Sequence, residues 1–234
     1  MRTIAFDAHM IGSQETGNET YAAALATALA HLGAYHYRLY TPRPAALPSA
    51  LRTAPGVSVH AFRALPAPLR IPLLYPLLVR QDHAALLHLQ YVAPPRIGCP
   101  VVLTVHDVSF RRFPQFFSPW VRFAVAPLIG PSMRRAARVI TISECSRQDI
   151  LHFYRLPPEQ VVVTPLAAGP EYQPAPPGEL ARVRAAHCLP DRYVLAVGNL
   201  QPRKNLARLV AAFARLAADF AAVDLVIVGA SAWQ

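Results

Sequence analysis

Lysine and acidic residues are scarce in this chain of 234 residues. Of its 23 basic residues all but Lys204 are arginine, and only 13 residues are acidic, which leaves a formal net charge of +10. No acidic residue occurs between Glu19 and Asp82, or from Arg111 to Arg138. A surplus of this size attracts an anionic partner such as a membrane, a nucleic acid or a nucleotide.

Cysteine is also rare. The chain has three, Cys99, Cys145 and Cys188, and none lies in a C-x-x-C pattern. An odd number of widely spaced cysteines argues against a disulfide framework and against a zinc site. We therefore interpret all three as packing residues and expect no metal site.

Long hydrophobic runs are missing as well, although 53% of the residues are hydrophobic. Charges or prolines interrupt every stretch of about 18 residues, the length that would span a bilayer. The apolar run at the N-terminus ends at Asp7 and is too short for a signal peptide. The sequence predicts a globular cytoplasmic protein without a transmembrane segment.

What the chain does contain is a series of short apolar segments that alternate with helical patterns. Unbroken β-branched runs are typical of strands buried on both faces, as in a parallel sheet. The predicted strands are Thr3–Phe6, Tyr37–Tyr40, Val57–Ala61, Leu86–Leu89, Val101–Val105, Val139–Ile142, Val161–Thr164 and Tyr193–Val197. The predicted helices include Thr20–Leu32, Leu73–Gln81, Pro119–Ala137 and Glu144–Tyr154. This order predicts a doubly wound α/β fold.

The chain divides near a proline-rich stretch. Residues 1–170 are long enough for a complete first domain, and residues 171–178 have the composition of a linker. A second strand-helix-strand pattern occupies residues 179–234, which is short for an α/β domain. We expect this part to be the beginning of a second domain.

The lone lysine lies in the second region, between an apolar strand and a helix that begins after Asn205. A strand that turns at Gly198 into a helix start places backbone N–H groups and the positive end of the helix dipole beside Arg203 and Lys204. Lysine is a flexible point charge and arginine a planar fork, so the two are not interchangeable against a phosphate whose position changes during a reaction. We interpret this turn as a phosphate site, with ordinary solvated surface as the alternative.

Two further candidates follow predicted strands of the first domain. Gly12 and Gly17 lie in the connection after the first strand, and His106-Asp107 comes directly after Val101–Val105. Doubly wound sheets bind ligands at the carboxyl ends of their strands. For the two glycines the alternative is a plain connection between strand and helix, and for His106 it is a hydrogen-bonded core histidine. Ser143, which follows the next strand, is predicted to be a helix N-cap.

The acid-free segment from Arg111 to Arg138 mixes arginine with Phe113, Phe116, Phe117, Trp120 and Phe123. Aromatic rings and guanidinium groups together suit the headgroup layer of an anionic bilayer. The same mixture is able to stack on single-stranded nucleic acid. A third interpretation is an internal helix whose aromatic side chains face the core while its arginines face water.

Taken in order, these pieces resemble one family, the retaining, nucleotide-sugar-dependent glycosyltransferases of family 4 with the two-domain GT-B fold. The matching segments are Thr16–Tyr21, Val105–Phe110 with Phe113-Pro114, Arg138–Arg147 and Val197–Asn205. The resemblance covers the whole chain, and the last segment is its most specific. It implies a GT-B fold with one complete Rossmann-like domain and the start of another.

The resemblance also implies roles for individual residues. Arg203 and Lys204 would neutralise the donor diphosphate as it leaves, and His106 would lie near the transferred sugar. The remaining donor- or acceptor-binding positions would be Gly12, Thr16, Gly17, Asp107, Gly198, Asn199 and Asn205. The nucleotide sugar is a substrate, so the resemblance implies no cofactor and no metal. The acceptor would be a glycan or a lipid-linked sugar, reached from the inner face of the cell membrane.

Two departures from the family pattern stand out. Asn199 occupies a position where many relatives have arginine, and the paired glutamates that hold the donor in relatives would lie beyond Gln234. We therefore expect a hexosyltransferase sequence whose 234 residues alone transfer little sugar. The alternatives are a non-catalytic module that binds a membrane or a partner, and a sugar-nucleotide epimerase of similar architecture. Nucleic-acid binding has no supporting motif, and we expect none.

Overall fold

The computed structural model describes residues 1–13, 16–169, 171–216, 220 and 222–229. The chain forms two compact units, Met1–Ala167 and Ala168–Gln234. The sequence-based division at residues 170 and 178 stays a prediction.

The large unit is built on a parallel sheet. Within its described residues seven strands lie in the order β3-β2-β1-β4-β5-β6-β7, and every neighbouring pair is parallel. The strands are β1 (Thr3–Asp7), β2 (His36–Thr41), β3 (Val57–Ala61), β4 (Leu86–Gln90), β5 (Val101–Thr104), β6 (Arg138–Thr141) and β7 (Val161–Val163). The chain reverses its direction of winding after β3, because β4 returns to pair with β1 on its other side. The predicted doubly wound α/β fold is confirmed.

Apolar side chains alternate between the two faces of this sheet and form two cores. Phe6 and Leu39 belong to the core that α1 (Thr16–Leu32) and α2 (Ser49–Thr53) cover. Ala5, Leu87 and Leu103 belong to the larger core on the other face. Burial on both faces explains why the strand sequences show no polar alternation over most of their length.

The helices of the large unit follow the predicted order. They are α1 and α2, then α3 (Ala67–Leu69), α4 (Tyr75–Gln81), α5 (Ser109–Arg112), α6 (Ala126–Arg135) and α7 (Glu144–Tyr154), with 3-10 turns at Pro44–Ala46, Pro114–Phe116 and Pro158–Gln160. Helix α7 matches its predicted bounds. Its N-cap is Ser143, whose hydroxyl oxygen accepts a hydrogen bond from the Ser146 N–H at 3.1 Å, so the predicted cap is confirmed.

Two predicted helices are wrong in detail because of proline. A π-helical turn at Arg70–Leu74 precedes α4, and another at Val121–Val125 precedes α6, where a single helix over residues 119–137 was predicted. Pro76 is the second residue of α4, and Pro127 is the second residue of α6. Neither proline has an N–H to donate to a carbonyl oxygen of the preceding turn. A wider turn accommodates this loss, and π-turns of this kind occur as single turns within α-helices.

The small unit contains α8 (Pro177–Ala186), β8 (Tyr193–Val197), a 3-10 turn at Pro202–Lys204, α9 (Leu206–Leu216) and β9 (Asp224–Val228). Helix α8 begins at Pro177, inside the predicted linker, because a proline is favourable in the first turn of a helix. Strands β8 and β9 pair in parallel. The expectation that β8 is buried on both faces is wrong for this unit, since Val194, Leu195 and Val197 are exposed.

Hydropathy along the helices bears on membrane insertion. In the part of the chain that the structure describes, no helix combines the length and the apolar character needed to cross a bilayer.

Candidate functional site

The carboxyl edge of the sheet in the large unit brings three loops together, those that follow β1, β4 and β5. Strand β4 pairs with β1 on one side and β5 on the other, so its end lies between the other two. This is the edge where doubly wound sheets bind ligands, beside the point where the winding reverses. The first two turns of α1 lie over the same edge, since Asn18 contacts the side chain of Gln90 in β4 and Tyr21 contacts that of Thr104 in β5.

His106 follows β5 and is contacted by residues of β4, β6 and α1. Only 8% of its surface is exposed, its carbonyl oxygen accepts a hydrogen bond from the Thr141 hydroxyl, and its Nε2 lies 3.0 Å from Gln90 Oε1. The Tyr21 ring packs edge-on against the imidazole, with centroids 4.5 Å apart. Burial lowers the pKa of His106, and the neighbouring Asp107 offsets this only in part. The predicted site residue is a rigid, mainly neutral imidazole at the ligand-binding edge.

Asp107 has a local structural role. Its Oδ1 accepts hydrogen bonds from the Ser109 N–H at 2.9 Å and from the Ser109 hydroxyl at 2.6 Å. These contacts turn the chain from β5 into α5 in the manner of an Asx turn. The other carboxylate oxygen of Asp107 is the one that remains for a ligand.

A buried polar network beside His106 was missed in the sequence. His88 Nε2 lies 2.9 Å from Thr104 Oγ1, which shares a 3.0 Å hydrogen bond with the Tyr21 hydroxyl. The His88 ring stacks on Phe6 with centroids 4.8 Å apart. Burial and the nearby His106 lower the pKa of His88 to about 4, although Asp7 raises it. The visible signal was the pair His88 and Gln90, two polar residues on one face of an otherwise leucine-rich strand.

Two sets of contacts restrain the described part of the connection between β1 and α1. Arg43 donates to the carbonyl oxygens of His9 at 2.7 Å and Ile11 at 3.3 Å. The Gly12 N–H donates to a carboxylate oxygen of Glu19 at 2.6 Å. A contact of the Gly12 N–H with the donor or the acceptor, as predicted, would therefore require Glu19 to give up this hydrogen bond.

Helix α1 begins at Thr16, four residues before the predicted start, so Gly17 lies in its first turn rather than in a loop. A negative Glu19 in that turn is favourable at the positive end of the helix dipole, and its contact with Gly12 fastens the helix start to the loop. Thr16 opens the helix, and Gly17 is exposed.

The two glycines are expected to respond in opposite ways to alanine. Gly12 has a φ of +80°, and an added Cβ would overlap the Cβ of Ala46. Gly17 has open space around it. Gly12→Ala should therefore lower the free energy of unfolding by at least about 1–2 kcal/mol, the cost of placing alanine in a left-handed conformation. Gly17→Ala should raise the free energy of unfolding by about 0.5–1 kcal/mol, because alanine is the better helix former. Urea unfolding of both variants checks the signs, and a stabilised Gly12→Ala would contradict the loop geometry.

Asp7, at the end of β1, anchors a second group on the other face of the sheet. The carboxylate is 4% exposed, accepts from the Tyr75 hydroxyl at 2.6 Å and lies 2.8 Å from His9 Nδ1. Burial raises the pKa of Asp7, but the contacts with His9 and Tyr75 outweigh it and leave the pKa below its usual value. The carboxylate stays charged and fixes the His9 ring.

The small unit carries the remaining predicted residues in the connection between β8 and α9. Gly198, with a φ of +153°, donates its N–H to the Val228 carbonyl at 2.9 Å, and Asn199 follows it. The 3-10 turn Pro202–Lys204 ends at Asn205, whose left-handed backbone redirects the chain into α9. The Asn205 carbonyl then accepts from the N–H groups of Arg208 and Leu209.

Arg203 and Lys204 are both exposed in this turn. Arg203 Nε donates to the Gln201 side-chain oxygen at 2.9 Å, which leaves the outer guanidinium nitrogens for a ligand. Their position at the entry to an 11-residue helix agrees with the expected strand-turn-helix geometry. Neither cation has an acidic partner among the described residues.

Among the described residues, no group of three or more His, Cys, Asp or Glu side chains is placed to hold a metal ion. Cys99 is partly buried, and Cys145 and Cys188 are exposed free thiols, so the packing interpretation is wrong for the latter two.

The sequence matches a protein family and a characterised protein. The model of Glycosyltransferase Family 4 matches residues 16–171. The O-antigen chain mannosyltransferase B of Escherichia coli is 32% identical over 114 residues, which cover 48% of this chain and 30% of that protein.

Solved structures share the fold at low identity. Anabaena Alr3699/HepE in complex with UDP-glucose has a TM-score of 0.68 at 18% identity, and covers 99% of this chain and 61% of its own. A glycosyltransferase from Rickettsia africae ESF-5 has a TM-score of 0.56 at 14% identity, with 99% and 69% covered. The chain spans less than a third of the matched mannosyltransferase and about three fifths of the Anabaena protein.

The matched residues include α1, β4, β5 and β6 with the loop that carries His106, so the family match and the buried edge of the sheet concern the same part of the molecule. The fold agrees with the GT-B neighbours. The chain therefore belongs to glycosyltransferase family 4.

Proposed function

We propose that this protein transfers a hexose from a nucleotide-sugar donor to a glycan or lipid-linked acceptor, with retention, in the synthesis of a cell-surface polysaccharide or lipopolysaccharide. The observation that carries the proposal is a rigid, buried imidazole at the carboxyl edge of the sheet, inside the family 4 match. Two relatives support the substrate class by their names, one an O-antigen mannosyltransferase and one complexed with UDP-glucose.

On the small unit, we propose that Arg203 and Lys204 meet the diphosphate of the donor. When the bond between the sugar and the diphosphate breaks, its electron pair stays on the phosphate oxygen, and negative charge grows there. Fixed positive charge at that oxygen stabilises the transition state more than the bound donor, which accelerates the reaction. The N–H groups at the start of α9 would add to the same effect.

On the large unit, we propose that His106 contacts the transferred sugar. A neutral imidazole suits this role, because it exchanges hydrogen bonds with hydroxyl groups and adds no positive charge next to a developing oxocarbenium ion. Asp107, Gly12, Thr16 and Gly17 are proposed to line the same edge, and Gly198, Asn199 and Asn205 to shape the phosphate turn.

The direct test is to titrate the 234-residue chain calorimetrically with UDP-glucose, GDP-mannose, UDP and GDP, and then to assay sugar transfer to a glycolipid extract. Binding of one sugar nucleotide, with release of its UDP or GDP when acceptor is added, supports the proposal. The expectation that this chain alone transfers little sugar is decided by the same assay. Failure of every nucleotide to bind would overturn the donor assignment.

A second candidate function is a non-catalytic module that binds an anionic membrane. Its support is the surface between residues 111 and 138, where Trp120 is 67% exposed and Phe123 72% exposed. Arg122 lies over the Phe123 ring at 5.2 Å, while Phe117 packs against the core. The interpretation of an entirely internal aromatic face is therefore wrong for Trp120 and Phe123. Exposed arginines at 111, 112, 122, 134, 135 and 138 share this segment.

We predict that the chain floats with vesicles of anionic phospholipid and stays at the bottom of the density gradient when the vesicles are neutral. The variant Trp120→Ala/Phe123→Ala should lose most of this binding, because each ring that enters the headgroup layer removes apolar area from water. Tyr172, which is 73% exposed, provides the matched control as Tyr172→Ala. Equal loss in the control, or binding to neutral vesicles, would contradict a specific surface.

The flotation experiment also separates the two functions. Membrane binding that does not change when UDP-glucose or GDP-mannose is added, in a chain that binds no nucleotide in solution, favours the module. Membrane binding together with nucleotide binding favours a transferase that reaches a lipid-linked acceptor.

A further inference from the structure

Gln90, at the end of β4, contacts the imidazole at the centre of the site. Its side-chain oxygen Oε1 lies 3.0 Å from His106 Nε2, and its side-chain nitrogen donates to the backbone carbonyl oxygen of Asn18 at 3.4 Å. The Asn18 carbonyl belongs to the first turn of α1, the segment that also supplies Tyr21. One amide therefore links a helix start to the histidine.

The direction of hydrogen bonding along this link follows from what each atom is able to do. A backbone carbonyl only accepts, so the group of Gln90 that faces Asn18 must be its NH2. The oxygen of the same amide then faces His106, and because an amide oxygen also only accepts, His106 Nε2 must carry a proton. The reversed amide would let its NH2 donate to a bare Nε2 of His106, but it would place two acceptor oxygens against each other at Asn18.

A neutral imidazole has one protonated and one bare nitrogen. Burial keeps His106 mainly neutral, so a proton on Nε2 leaves Nδ1 bare. No hydrogen bond to Nδ1 occurs among the described residues. The ring has no freedom to present the other nitrogen, because Tyr21 packs edge-on at 4.5 Å and Tyr91 lies against it at 5.7 Å.

We propose that Gln90 is a positioning residue that holds His106 as the tautomer protonated on Nε2, so that Nδ1 accepts a hydrogen bond from a hydroxyl group of the transferred sugar. This inference rests on the proposed function and assigns Gln90 a role that the sequence patterns did not indicate. It requires a donor whose sugar has a free hydroxyl group at that contact. A sugar that lacks this hydroxyl leaves Nδ1 without a partner and binds less well.

The tautomer is measurable without any ligand. In the 234-residue chain labelled with 15N-histidine, long-range proton–nitrogen spectra at mildly alkaline pH should show His106 with a bare Nδ1 and a protonated Nε2. The signals of His106 are identified among those of the nine histidines as the ones that disappear in His106→Gln. A protonated Nδ1 in the unchanged protein would overturn the proposal, whatever the variants do.

Variants of Gln90 separate positioning from packing. Gln90→Leu should give both nitrogens averaged shifts, because the acceptor that selects one tautomer is gone. Gln90→Glu keeps an acceptor oxygen and should keep the proton on Nε2. Gln148→Leu, at an exposed glutamine on α7, should change nothing. An unchanged tautomer in folded Gln90→Leu would overturn the role of Gln90.

Ligand titration tests the second half of the inference. UDP-glucose should shift the Nδ1 signal towards that of a hydrogen-bonded nitrogen, whereas UDP should leave it unchanged, and Gln90→Leu should lose this difference. UDP-glucose that binds without moving Nδ1 would overturn the sugar contact and leave the proposed function standing. If neither UDP-glucose nor GDP-mannose moves any signal of the chain, the donor assignment fails, and the ligand-free spectra still decide the role of Gln90.

Discussion

Acidification should destabilise this protein through His88 by about 3 kcal/mol, which is the linkage free energy for a pKa that falls from 6.5 to about 4 on folding. The unfolded chain takes up a proton at His88 below about pH 6.5, whereas the folded chain takes it up only near pH 4. The unfolded state therefore binds more protons between these values, and the stability due to His88 rises with pH across this window. The main cause is burial, since the ring lies between Phe6 and the Thr104 hydroxyl and is 6% exposed.

The measurement is urea unfolding of the unchanged protein and of His88→Gln at a series of pH values from 7 to 4. Glutamine keeps a group that is able to bond Thr104 but does not titrate, so the pH dependence of the variant should be smaller by the amount given above. His106 contributes in the same direction and remains in both proteins. His31→Gln, at an exposed histidine, should keep the full pH dependence. Parallel curves for the unchanged protein and His88→Gln would show that His88 is solvated in the folded state.

The strands could be predicted closely because their cause is local. Val101–Leu103 is apolar at every position, and a parallel sheet covered on both faces is the structure that buries the side chains of such a run on either side. The order of the strands, with β4 beside β1, was not predicted, because the α/β pattern indicates a doubly wound sheet without saying which strands are neighbours.

The start of α1 was misplaced because its first residues are poor helix formers. Thr16, Gly17 and Asn18 have low intrinsic propensity, so the pattern favoured a start at Thr20. The structure stabilises the early turn by long-range contacts, from Glu19 to Gly12 and from Asn18 to Gln90. Tertiary contacts of this kind override propensity, and they are not visible in a short window of sequence.

The candidate site was found in part. His106 could be located because it follows a predicted strand directly, at the edge where doubly wound sheets bind ligands. Its partners come from β4 and α1, which lie 16 and 85 residues away in the chain. His88 and Gln90 were overlooked although their spacing of two places them on one face of β4. Polar residues at alternate positions of a buried strand indicate an internal network, because each must find a partner there.

The second large effect is expected at the only lysine. Lys204→Gln should weaken binding of UDP and GDP by about tenfold, the lower end of the loss for a hydrogen bond to a charged group, because Lys204 is exposed and water screens part of its charge. Transfer should fall further, by about a hundredfold, since the charge on the departing diphosphate is greatest in the transition state. Lys204→Arg should restore only part of both, because a planar guanidinium does not follow the phosphate as a compact ammonium does.

Calorimetric titration with UDP and GDP at fixed ionic strength measures the loss of binding. The rate at which UDP or GDP is released from the sugar nucleotide in the presence of acceptor measures transfer. Arg208→Gln removes one exposed positive charge from the same unit, in the first turn of α9, and controls for net charge. A phosphate site in the turn predicts a much larger loss for Lys204→Gln than for Arg208→Gln, whereas attraction by the +10 charge of the whole chain predicts equal small losses. Equal losses would therefore reduce Lys204 to solvated surface, and a difference confined to Lys204 would place the donor phosphates at the start of α9.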